Sequence, residues 1–210
     1  MSDTAPAAGT RRAPWPKDAL RVTFGVIWAV DATLKWLPGF KDRYMATIMG
    51  IAKGQPAWLR PWFDFWIRLQ HPAATFFWAL VAAAESLIAL ALILGVARKL
   101  TYLAAIGLSL LIWATAEGFG GPYTAGSSDI GTAVIYAVVF AGLLALSYYA
   151  GPARYSADYY LEQKISWWWR LAETRRPVPA AATPAPGTTA VPPGTAPAQP
   201  TPEALQPRTA

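Results

Sequence analysis

Four stretches of roughly 20 mostly apolar residues run through this chain, at about 20–38, 73–95, 100–117 and 130–150. An α-helix needs about 20 residues to cross ~30 Å of hydrocarbon, so each stretch is long enough to span a bilayer. Inside lipid a segment must satisfy its backbone groups within itself, which makes such spans helical. The expected fold is therefore all-α: a bundle of four transmembrane helices, with the lipid bilayer as its first partner. The stretches at 73–95 and 130–150 are free of basic residues, whereas the one at 20–38 carries Arg21, Asp31 and Lys35. Only 14% of the 210 residues are charged and 54% are apolar, against about 25% charged in soluble domains. At that apolar content a net charge of +6 points to an anionic membrane surface and not to nucleic acid. There is no cysteine and a single histidine, His71. Disulfides, Cys-ligated clusters and bis-His haem within one chain are thereby excluded, and no metal site is expected.

The segments around the spans differ in kind. Residues 1–16 are polar and lack the apolar run of a signal peptide, so a disordered tail is expected ahead of a membrane domain over 17–153. The first loop is aromatic: Phe40, Tyr44, Ile48 and Ile51 recur at helical spacing, and Pro61 opens a second run with Trp62, Phe63, Trp66 and Leu69 on one stripe and Asp64 and Arg68 on another face. Amphipathic helices within 40–70 are expected, either lying in the headgroup plane or serving as a lid over a substrate site. Residues 154–174, with Tyr155, Tyr159 and Trp167, Trp168 and Trp169, repeat the pattern as a second interfacial helix. From 175 to 210 the chain is rich in Pro, Ala and Thr without apolar periodicity, which predicts disorder. Basic residues cluster before the first span, in the turn holding Arg98 and Lys99, and after the fourth span, while 118–129 has none. Both termini are therefore expected in the cytoplasm, despite five basic residues in the first loop.

Ionisable groups inside the hydrocarbon cost at least ~2.5–3.5 kcal/mol each and need an explanation. Asp31 and Lys35 stand one turn apart on the first span and can pair. Glu85 falls near the middle of the second span, with no cation at i±3 or i±4; it requires a partner on another helix. Glu117 ends the third span, and the Gly-rich turn after it leads to Ser128 or Asp129, either suited to cap the fourth. Lys35, Glu117, Tyr123 and Asp129 share the outer third of the membrane, with His71 at its mouth, Asp31 just below and Glu85 deeper. Either this is a polar path for protons, with Asp31, Glu85 and Glu117 as its catalytic acids, or it is a set of packing contacts that fix helix order.

Two stretches carry a family likeness: RVTFGVIWAVDATLKWLPGF from Arg21, and EGFGGPYTAGSSDIGTAVIYAVVF from Glu117. Together they resemble the DoxX-like superfamily, and most closely its DoxD branch, the small subunit of thiosulfate:quinone oxidoreductase. The resemblance runs from Arg21 to about Ala150. It implies a subunit of the cytoplasmic (inner) membrane that works with a partner subunit and with quinone, thiosulfate being oxidised to tetrathionate. In that setting the carboxylates would deliver protons. Lys35 would hold a quinone carbonyl or attract an anionic substrate, and Tyr123, Asp129 and Tyr136 would complete a quinone or substrate site. The alternative is a non-catalytic anchor or assembly module, as a homo-oligomer or within a larger complex, whose charged groups only set helix register.

Overall fold

The structure is a computed structural model that describes residues 15–121, 129–149 and 155–175. The expected tails, Tyr123, Ser128 and the start of the 154–174 segment lie wholly or in part outside these residues. Among the described residues all regular structure is helical. The helices are α1 (Trp15–Lys35), α2 (Pro38–Lys53), α3 (Arg60–Gln70), α4 (Ala74–Leu94), α5 (Arg98–Thr115), α6 (Thr132–Tyr149), α7 (Ala157–Lys164) and α8 (Trp169–Ala172).

Four of these, α1, α4, α5 and α6, are 18 to 21 residues long and build one core. Its buried members come from each of them: Phe24 and Trp28, then Ile88, Ala89 and Leu92, then Tyr102 and Ala105, then Phe140 and Leu143. Phe140 meets the rings of Phe24 and Trp28 edge-on, each at 5.0 Å between centroids, a geometry that aromatic quadrupoles favour. Helix α1 lies close on α4 because Gly25 has no side chain: a Cβ there would stand 3.0 Å from Leu92 Cβ. Helix α4 ends at Gly95 (φ +69°), whose N–H and that of Val96 both bond the Ala91 carbonyl. This left-handed cap turns the chain directly into α5.

The outward faces are rich in large apolar side chains, while several charged groups are buried. Val30, Leu87 and Val138 are 58–67% exposed, and large apolar side chains dominate the outside of all four long helices. Meanwhile Arg21, Glu85, Arg98 and Asp158 are each at most 1% exposed. Two helical stretches, Ala57–Leu94 and Thr132–Tyr149, are long and apolar enough to cross a membrane.

The first loop folds back as the pair α2 and α3. Pro38 is the first residue of α2 and Pro61 the second of α3, both in the first turn, where a missing N–H costs nothing. The aromatic face of α2 turns toward the bundle: Ile48 is 3% exposed and Phe40 and Tyr44 are half-buried. Phe63 of α3 is buried, whereas Phe65 and Leu69 face outward. Arg68 bonds the backbone carbonyl of Asp64 at 3.1 Å. After α6, the predicted single amphipathic helix is two. Ile165 is extended (φ −124°, ψ 103°) between α7 and α8, a conformation that suits a β-branched residue better than a helix interior.

Candidate functional site

Where α1 ends, its last carbonyls need partners. Trp78 of α4 donates its indole N–H to the Lys35 carbonyl at 2.8 Å, and Trp36 donates to Ser86 Oγ at 3.0 Å. These two indoles, 5.6 Å apart, fix the end of α1 against α4. Lys35 is thereby aimed at Glu85. Its Nζ is 2.8 Å from Asp31 Oδ2 and 3.4 Å from Glu85 Oε2, and 5.2 Å from the centre of the Phe40 ring. The cross-helix cation that Glu85 lacks on its own helix is therefore Lys35. The three groups form a chain graded in exposure, from the Glu85 side chain at 1% through Lys35 at 17% to Asp31 at 37%.

Glu85 and Lys35 also line a cavity of about 320 Å³ between α2, α3, α4 and α5. Its walls are mostly apolar, with Phe40, Ile48, Phe77, Leu80, Val81, Leu108, Leu111 and Ile112. Polar groups converge at a few points, as in small-molecule sites generally. Tyr44 and Gln70 join α2 to α3 by a 2.6 Å bond from the phenol to Gln70 Oε1. Burial pushes the Tyr44 phenol up to about 12, so it stays a neutral donor. Two buried polar atoms of lining residues have no hydrogen-bond partner: Glu85 Oε2 and the Trp66 indole N–H. Lys35 is near enough to Glu85 Oε2 for an ion pair but too poorly directed for a hydrogen bond. A buried acceptor and a buried donor left unmade are costly, and a ligand carrying both functions would satisfy them.

Glu117 lines the far end of the same cavity. Both of its carboxylate oxygens accept the N–H of Ala133, at 3.0 and 3.2 Å, so Glu117 closes the first turn of α6. Asp129 bonds the N–H of Gly131 at 2.7 Å, two residues on, an Asx turn. Ser128 lies outside the described residues, Asp129 thus forms a turn ahead of α6, and the Ala133 N–H is taken by Glu117 from the segment just after α5. The reason is Gly131: its φ of +93° swings the chain over Glu117, where a Cβ would stand 2.5 Å from Oε2. The turn after α5 is strained, with Phe119 at φ +59°, a region costly for a bulky residue. Rings of Trp62 and Trp113 hold Phe119, at 6.0 and 5.3 Å, and their N–H groups bond the carbonyls of Ala114 and Ile130.

Of the residues singled out in the sequence, Asp31, Lys35 and Glu85 come together, with Lys35, Glu85 and Glu117 facing one cavity. Tyr136 packs in the core against Phe24 and Trp28, at 5.5 and 5.2 Å, and does not line the cavity. Asp129 and the exposed His71 lie outside its wall as well, and Tyr123 is outside the described residues. Sequence reasoning did not assign Tyr44, Trp66, Gln70 or Thr115 to a site. Tyr44 and Trp66 carried a signal, since they stood in the aromatic stripes of the first loop, but periodicity does not tell a face turned to headgroups from one turned inward. Among the described residues no group of three or more His, Cys, Asp or Glu side chains is placed to hold a metal ion. No protein-family model, curated protein or solved structure matches this chain.

Proposed function

We propose that this chain is a four-span protein of the cytoplasmic membrane, with both termini in the cytoplasm, and that it is the membrane subunit of a quinone-linked oxidoreductase of the thiosulfate:quinone type. The outward apolar faces of α1, α4, α5 and α6 support the membrane setting. The DoxD-like stretches support the reaction class. The observation that carries the reading is Glu85: an acid 1% exposed, with one oxygen unbonded, in the wall of an apolar cavity and joined through Lys35 to the half-exposed Asp31.

Reduction of a quinone takes up two electrons and two protons. The cavity walls would hold the ring, and the Trp66 N–H and Lys35 are donors suited to its oxygens. Glu85 is the acid beside it, and Lys35 with Asp31 links that acid to the protein edge. Glu117, spent on the first turn of α6, would shape the cavity end rather than move protons. The sequence has no cysteine, and in this reading the electrons come from the donor directly or through a partner subunit.

The test is thiosulfate-dependent quinone reduction in membranes containing the protein and its partner. Glu85→Gln and Lys35→Met should each abolish turnover while the protein stays inserted, and full activity in both variants refutes the assignment. The strongest competing reading is a non-catalytic anchor, favoured by the structural employment of Glu117 and Asp129. It predicts that complex assembly, not turnover, is lost when the α3 face Trp62–Leu69 is removed.

A further inference from the structure

The end of the bundle opposite the cavity holds a second cluster of buried charge, independent of the proposed redox reaction. Its centre is Arg98, the first residue of α5, 1% exposed. Arg98 Nε is 3.0 Å from Asp158 Oδ2, its Nη2 bonds Glu173, and its Nη1 has no partner. Asp158 is fully buried and also receives the backbone N–H groups of Ala97 and Arg98, at 2.7 and 3.0 Å, and the indole N–H of Trp168 at 2.8 Å. On α1, Arg21 reaches the carbonyls of Leu92, Ile93 and Tyr155 and stands 3.5 Å from Asp18. The Asp158 N–H in turn bonds the Gly95 carbonyl at 3.1 Å. The start of α1, the α4–α5 turn and the α7–α8 segment are thus joined by charged and backbone hydrogen bonds.

The charge balance of the buried groups sets what this arrangement can do. Among the described residues, Lys17, Arg21 and Arg98 supply three positive charges and Asp18, Asp158 and Glu173 supply three negative ones, so these six balance. A seventh group, Glu162 on α7, turns its Oε1 into the same interior without a hydrogen-bond partner. The groups facing it are Glu173 after α8, Arg98 of α5 and Asp158 of its own helix, while Lys164 on α7 is exposed to solvent. Ionised, Glu162 is a fourth acid for three cations. Protonated, it leaves the count even.

We propose that α7 and α8 form a latch over this end of the bundle, closed while Glu162 is protonated and released when it ionises. Burial, and then the neighbouring Glu173, push the Glu162 carboxyl up to about 7, inside the physiological range. The sign follows from linkage. An acid whose value is higher in the closed form than its ordinary 4.5 favours closure at low pH, and that preference is lost as pH rises toward about 7. Between pH 6 and 7.5 the closed form should weaken by up to about eightfold.

Hydrogen–deuterium exchange on the full chain in lipid nanodiscs tests the latch. Protection factors, corrected for the intrinsic pH dependence of exchange, are compared for the peptide covering 155–175 and for α5 as an internal standard. In the unaltered protein, protection of 155–175 should fall severalfold between pH 6 and 7.5 while α5 holds steady. Glu162→Gln should keep the low-pH protection throughout, and Lys17→Met should leave the fall in place. A flat profile in the unaltered protein overturns the latch even if Glu162→Gln does not fold. An equal fall in Glu162→Gln assigns the switch to another group and overturns it too.

Discussion

Replacing Lys35 by Met isolates the central claim about the site, because among the described residues it removes the only cation within 4 Å of a carboxylate that is 1% exposed. At an effective dielectric of 20 the attraction across 3.4 Å is about 5 kcal/mol before desolvation is subtracted. Breaking a buried pair from one side typically costs ~3–5 kcal/mol, since the surviving charge is left uncompensated. The contact with Asp31 adds little to that sum, because a side chain 37% exposed is screened and such pairs contribute ~0–1 kcal/mol. Lys35→Met should therefore destabilise the protein by about 3–5 kcal/mol. Glu85→Gln should cost only about 1 kcal/mol, as Lys35 keeps Asp31 at 2.8 Å. The double variant contains no stranded charge and should lie near the Gln single, giving a coupling energy of about 2 kcal/mol or more. Reversible unfolding of the purified protein in mixed micelles of rising SDS fraction, followed by far-ultraviolet circular dichroism, measures all three. A Lys35→Met loss below about 1 kcal/mol, with coupling under ~0.5 kcal/mol, would mean that the pair is solvated and that the cavity wall is not built as described.

Two further substitutions probe the scaffold by the same unfolding measurement. Gly95→Ala places a Cβ 2.7 Å from Ser156 Cβ and 3.0 Å from Arg21 Cζ, at a φ of +69°; it should cost more than ~2 kcal/mol and raise exchange across 155–175 at every pH. Phe140→Ala empties a core position that is 0% exposed and should cost about 3–5 kcal/mol, with the loss shared by α1 and α6 because Phe24 and Trp28 both rest on that ring.

By itself the sequence determined the long helices, since length and apolar content are local properties. The stretches read at about 73–95, 100–117 and 130–150 overlie Ala74–Leu94, Arg98–Thr115 and Thr132–Tyr149, and a lone Glu85 demanded a partner from elsewhere in the chain. Which partner it took was beyond any local pattern. That depended on Trp36 and Trp78 pinning the end of α1 on α4, and on Gly25 letting the two helices close. The same holds for the first loop. Its aromatic period was legible, but only the folded chain decided that Tyr44 and Trp66 line a cavity while Phe65 and Leu69 face outward, because helical spacing fixes which residues share a face and not what that face meets. Glu117 and Asp158 illustrate the point most sharply. Each was one acid among twelve in the sequence, and each was given its work by a backbone N–H brought to it by distant chain: Ala133 for the one, Ala97 and Arg98 for the other.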